Sequence, residues 1–391
     1  MDWQGTSSNA NQTVELAVVK IEATVPVTSP QYGGAVVVNP GGPAGSGVGF
    51  ALSSGYGVRT ILSAGPDADP VTAKHFDIIS FDPRGVGKST PSVSCSVGQA
   101  RDWAYITARN EHGALDTSNK SFDWFWDADR AAAKACSERF ASQGIGKHMN
   151  TVTVAWDLVE IVEQHGKWRH AEARRLLQST RIKDSTGVLA RTAYKPGEEM
   201  IQYWGISYGT ALGGILSAMY PERIHRALLD GNLGLTDYMA GNLTTLVADT
   251  DKILIKLAER CYEAGISQCA LWNEGGPENI TSTINDVLSD LERGPAATAG
   301  VDSEEVQALT YTTLRKFIAD DLYKPLSTFP DLALVLHLLS VQDTKALSSK
   351  AGPRGWDLTL QDASNAIMCT DFPPLNMSKS DFRRYASSMD T

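Results

Sequence analysis

Long apolar runs, basic blocks and paired metal ligands are all missing from this chain. No apolar stretch in its 391 residues reaches the roughly 18 needed to cross a bilayer, so the sequence offers no membrane helix. Its 35 basic and 45 acidic side chains leave a net charge of −10 with no basic run, which argues against non-specific binding to nucleic acid or anionic lipid. Neither C-x-x-C nor H-E-x-x-H occurs, so the usual zinc frameworks are excluded and no metal or cofactor is expected. Internal repeats and low-complexity tracts are absent too. What remains is a chain with 42% hydrophobic residues, long enough to bury a large core and a second, smaller body.

Against that background the segment YWGISYGT at 203–210 stands out. Gly205, Ser207 and Gly209 match G-x-S-x-G, a sharp strand-to-helix turn that lifts a serine hydroxyl above the end of a parallel sheet. The flanks suit it. Residues 199–205 form an apolar and aromatic run fit for a buried strand, and 211–220 is rich in helix formers and stops at Pro221. The alternative is a serine that only caps the following helix.

A serine hydroxyl needs a base to take its proton and donors for the oxyanion that forms. Tyr208 N–H, next after the serine, is one candidate donor. The second belongs to a glycine-rich loop after an earlier strand, and VVVNPGGPAGSG at 36–47 has that character. Gly42 is the favoured donor, with Gly41 next, because glycine lets the backbone approach a carbonyl closely. A third strand and turn, FDIISFDPRGVGKS at 76–89, ends in Gly-Lys-Ser, but Asp82 stands where a phosphate-binding loop needs its first glycine. Asp82 and Arg84 are read instead as a structural turn that orders the floor of the site.

These stretches, with LLDG at 228–231 and AIMCTD at 366–371, resemble the α/β-hydrolase family of secreted prolyl and tripeptidyl aminopeptidases, in its fungal branch. The resemblance implies an α/β fold: a mostly parallel sheet flanked by helices, with a helical cap after the sixth strand. Residues 1–235 would form the core and 236–391 the cap. It implies a serine hydrolase that takes a small peptide or acyl substrate, without a cofactor, and releases short N-terminal peptides or proline from a peptide chain through Ser207. An esterase or biosynthetic-cluster hydrolase, and an inactive pseudo-hydrolase, are the competing readings.

In that family the acid and the histidine follow the seventh and eighth strands, and neither segment is evident after residue 371. The expectation is a chain truncated at both ends, lacking the last two strands, with an exposed edge at 226–230. Of seven histidines only His225 and His337 follow Ser207. His225 is expected at the wrong end of the sheet and His337 within an apolar cap helix. Asp230, which some relatives of this fold use as the acid, is read mainly as structural.

Periodicity adds an early strand in 13–23 and a helix through 156–162, capped by Asn150 and Thr151, with 154, 158, 161 and 162 on one face. Residues 166–197 read as a polar excursion, and from about 236 onward the chain reads as helical with no clear strand. Trp272, Tyr311 and Trp356 are read as cap core rather than contacts. Five cysteines allow two bridges, with Cys95–Cys136 and Cys261–Cys269 the pairings favoured and Cys369 left over. Five N-x-[ST] sequons, at Asn11, Asn119, Asn242, Asn279 and Asn376, suit the secretory pathway that the resemblance implies. MDWQ at the start is not a signal peptide, so the chain as written is expected in the cytosol. Oligomeric state is not legible.

Overall fold

The computed structural model describes residues 13–95, 98–115, 117–179, 184–299, 306–347, 358–374 and 376–388; Asn11 and Trp356 lie outside them. In chain order the elements are β1 (Val18–Ile21), β2 (Tyr32–Asn39), α1 (Gly47–Leu62), β3 (His75–Phe81), α2 (Gln99–Glu111), α3 (Asn119–Gln143), α4 (Thr151–Ser179), α5 (Ser185–Thr192), β4 (Ile201–Ile206), α6 (Tyr208–Met219), β5 (Ile224–Asp230) and α7 (Leu235–Met239). They continue with α8 (Thr250–Ala264), α9 (Pro277–Arg293), β6 (Ala296–Ala299), β7 (Val306–Leu309), α10 (Tyr311–Leu322), α11 (Pro325–Ser340), α12 (Thr344–Leu347), α13 (Leu358–Asp371) and α14 (Lys379–Ser387).

Two compact units divide the chain. The first comprises 1–95, 134–243 and 357–375. Its sheet runs β1-β3-β2-β4-β5, with β1 antiparallel to β3 and every other neighbour parallel. This is an α/β architecture. Successive side chains on a strand face opposite ways, and β2, β3 and β4 are covered on both faces, so these strands read as largely apolar runs. Val37, Ile79, Phe81, Ile201 and Tyr203 pack with Val154, Leu158 and Ile161 of α4 and Leu212 and Leu216 of α6. Val36, Val38, Phe76 and Ile78 pack on the other side with Val58 of α1. Burying each large side chain in these layers stabilises the unit by about 1.5–3 kcal/mol.

The helix expected around 156–162 is much longer: α4 runs 29 residues, through Ser179. Asn150 starts it, its Oδ1 accepting from Thr153 N at 2.9 Å. Gly166, the start of the expected excursion, is instead a point of close approach. A Cβ there would lie 2.5 Å from the Glu199 carboxyl carbon, and Glu199 takes a two-pronged ion pair from Arg169 one turn further on, at 2.9 Å each.

The second unit comprises 96–133, 244–356 and 376–391. Its core gathers Leu257, Ile280, Ile284, Leu314, Leu332 and Leu336, with Trp272 and Tyr311 packed against it. An antiparallel pair of strands, β6 and β7, sits among these helices. No such signal stands in the residues, because β6 is three alanines and one threonine, and alanine is depleted in strands.

Disulfides join Cys95 to Cys136 and Cys261 to Cys269, and Cys369 is free and exposed. No helix among the described residues is long and apolar enough to cross a membrane.

Candidate active site

Ser207 stands between the C-terminal end of β4 and the first turn of α6, with φ +56° and ψ −122°. A side chain other than glycine rarely adopts this backbone, which costs about 1–3 kcal/mol and persists only where its surroundings enforce it. They do so here through four hydrogen bonds. Ser207 N donates to Asp230 O at 2.9 Å, and Ser207 O accepts from Thr210 N at 2.8 Å and from Thr210 Oγ1 at 2.6 Å. Tyr203 OH holds Gly209 O at 2.7 Å.

The two flanking glycines are required by space. A Cβ on Gly205 would lie 2.2 Å from Gly209 O, and one on Gly209 would lie 2.7 Å from Asn39 O. Strand, turn and helix are thus pressed together with no room for a methyl group. Ser207 is exposed, and its side chain caps nothing in α6. The hydroxyl has no hydrogen-bond partner among the described residues.

The glycine loop after β2 lies against this turn. Gly41 has φ +90°, and a Cβ there would stand 2.3 Å from Ile206 O and 3.0 Å from Tyr208 N. Gly41 N–H is already spent on Asn39 Oδ1 at 2.9 Å, and Gly41 O accepts from Gly45 N at 3.0 Å. Gly42, also at positive φ, is exposed, and its N–H has no hydrogen-bond partner among the described residues. Tyr208 N–H opens α6 and is likewise unspent among them, at the end of the helix where the dipole favours negative charge.

Asp82, fully buried, ties the neighbouring loops to one another. Its Oδ1 accepts from Ser46 Oγ at 2.7 Å and Val48 N at 3.0 Å, and its Oδ2 from Lys88 N at 2.8 Å. The loop after β3 therefore braces the glycine loop at the start of α1. Arg84, in the same turn, forms a two-pronged buried pair with Asp157 of α4 at 2.5 and 2.8 Å. Burial pushes the Asp157 carboxyl above its ordinary value, against the pull of Arg84.

Sequence reasoning missed a hydrogen-bonded group under Tyr208. Its OH lies 2.5 Å from Thr151 Oγ1. That hydroxyl donates to Asp371 Oδ2 at 2.5 Å, which also accepts from Tyr238 OH at 2.8 Å, while Thr151 N donates to Asp371 Oδ1 at 2.7 Å. Burial, then the Asp371 charge, pushes the Tyr208 phenol well above its ordinary value. The only signal in the sequence was the AIMCTD stretch itself.

Among the described residues of the first unit no histidine is hydrogen-bonded to Ser207. His225 sits beside Ile224, which pairs with Ile201, whereas Asp230 at the other end of β5 pairs with Ile206; it therefore lies at the far end of the sheet from Ser207. His165 is bound to Asp77 at 3.0 Å. His337 lies on α11 of the second unit.

No family model matches the chain. It is similar to the tripeptidyl aminopeptidase of Streptomyces coelicolor, 29% identical over 225 residues that make up 56% of this chain and 31% of that protein. It is similar to the serine protease Hip1 of Mycobacterium tuberculosis, 27% identical over 198 residues, or 51% of this chain and 29% of that one. A third relative is carboxylesterase B of Mycobacterium tuberculosis, 31% identical over 144 residues, 37% and 24% of the two chains. The matches span about a third or less of these relatives' own length. All three names are those of hydrolases, and they support a serine hydrolase in general.

Proposed function

We propose that the chain is an α/β-hydrolase that attacks carbonyl carbon through Ser207 and passes through an acyl-enzyme. Gly42 and Tyr208 N–H groups hold the oxyanion. The observation that carries this reading is the exposed hydroxyl of Ser207 on a strained turn, with no hydrogen-bond partner among the described residues, next to Tyr208 N–H and packed against the glycine loop at Gly41. The accounting also favours Gly42 over Gly41, whose N–H is taken by Asn39.

In this chemistry Ser207 Oγ bonds to the substrate carbonyl carbon and its proton leaves to a base. The carbonyl electron pair moves onto oxygen between the two N–H groups, then returns as the leaving amine or alkoxide departs with a proton. The first unit supplies this core. Similarity to a tripeptidyl aminopeptidase favours short peptides or amides released from N-termini. Similarity to a carboxylesterase supports the second reading, an ester substrate at the same serine.

Labelling with a fluorophosphonate followed by peptide mass spectrometry tests the nucleophile: an adduct on Ser207, absent from Ser207→Ala, is expected. No adduct on the folded chain would defeat the reading and favour an inactive relative. Tripeptidyl and prolyl amides run beside simple aryl esters then separate the two substrate classes.

A further inference from the structure

Three side chains from three other elements converge beneath Tyr208, the residue that follows Ser207. Thr151 opens α4, Tyr208 opens α6, Tyr238 lies on α7 and Asp371 ends α13. Thr151 is fully buried, and Tyr208 and Tyr238 are nearly so; the two rings meet edge to face with centroids 5.7 Å apart. The donor directions follow from the chemistry. Asp371 as a carboxylate can only accept, so Thr151 Oγ1 gives its proton to Asp371 and must itself accept from Tyr208 OH. Tyr238 OH donates to the same carboxylate oxygen. The result is a one-way chain, Tyr208 to Thr151 to Asp371, with every donor spent.

Tyr208 is thereby pinned at both ends. Its ring and hydroxyl are fixed from below, and its backbone is flanked by Gly41, where a Cβ would approach Tyr208 N to 3.0 Å. An oxyanion donor works only if it is already aimed where charge develops, and an ångström of misplacement can lower a rate about 100-fold.

We propose that Asp371 is a positioning residue for the Tyr208 main-chain donor, acting through the Thr151 hydroxyl. The helix α13 thereby sets how well the site at Ser207 stabilises an oxyanion. This rests on the serine-hydrolase reading above.

The test measures the second-order rate of fluorophosphonate labelling on the full chain, per folded molecule, beside the melting temperature. Thr151→Val keeps shape and the N–H bond to Asp371 but severs the chain to Tyr208; it is expected to slow labelling about 10- to 100-fold. Thr151→Ser restores the hydroxyl and is expected to label within about twofold of wild type, since the proposed link is intact. Asp371→Asn places a donor where two hydroxyls now give their protons and is expected to slow labelling as well. Combined with Thr151→Val it should add little, because both act on one chain. A wild type that labels beside a Thr151→Val that labels equally fast, whatever its melting temperature, overturns the proposal alone. A folded wild type with no Ser207 adduct overturns the hydrolase reading and this proposal together.

Discussion

Ser207 N donates to Asp230 O across 2.9 Å, so the strained turn hangs from the last residue of β5. Strand register therefore reaches the candidate nucleophile directly, since Ile206 and Asp230 are paired at the end of the β4–β5 ladder.

Backbone strain at Ser207 makes a prediction with an unusual sign. Ser207→Gly removes the side chain from a conformation only glycine adopts freely, so stability should rise by about 1 kcal/mol while labelling vanishes. Urea unfolding of the two proteins measures the difference, and an unchanged or lower midpoint would mean the turn stores no strain.

Gly205→Ala should do the reverse. Its new methyl would meet Gly209 O at 2.2 Å, a backbone atom that cannot rotate away, so the turn must open. A loss of about 1–3 kcal/mol is expected, together with loss of the fluorophosphonate adduct in protein that remains folded.

The Arg84–Asp157 pair is almost fully buried on both sides. Removing the carboxylate in Asp157→Ala leaves a guanidinium inside the unit without its acid, which should cost about 3–5 kcal/mol. Thermal or urea melts read this, and a loss below about 1 kcal/mol would place the pair with ordinary surface bridges.

Two aspartates should shape the acid limb of stability in opposite directions. Burial alone would raise Asp77, but hydrogen bonds from His165, Tyr32 and Ala23 N outweigh it and hold the carboxyl below its ordinary value. Its stabilisation is present above the ordinary value and lost as pH falls through the lower folded-state value. Asp371 is raised by burial despite the bonds from Thr151 and Tyr238. The fold then binds its proton more tightly than the unfolded chain, so its contribution weakens as pH rises from the ordinary value through the raised one. Urea midpoints across pH 2–6 should show Asp77→Asn flattening the low end and Asp371→Asn flattening the next window up.

At the sheet edge, β5 pairs only with β4 among the described residues, and Leu228 within it is 48% exposed. An apolar open edge invites association, so Leu228→Lys should raise the monomer fraction in size-exclusion chromatography, with little change in melting temperature.

The turn at Ser207 and the glycine loop against it were legible because they depend on local rules. The glycines of G-x-S-x-G and of the 39–47 loop are demanded by close packing and turn geometry, and such demands show in a short stretch of residues. The central strands of the first unit were legible too, since burial on both faces leaves largely apolar runs at 35–38, 76–81 and 199–205. Gly166 misled for the opposite reason. A glycine among polar residues reads as a break, yet here it continues α4 because Glu199, 33 positions away, fills the space a methyl would take.

What the residues alone determined is therefore the presented serine, the glycine loop beside it and the apolar layers that carry them, all set by steric and hydrophobic preferences a few positions long. Which loop amide stays free, and which carboxylate lies beneath Tyr208, only the tertiary structure decided. Gly41 loses its N–H to Asn39 through the bend of one loop, and Asp371 meets Thr151 across 220 positions of chain. Hydrogen bonds of that reach depend on how separately formed helices come to rest, and no local pattern records it.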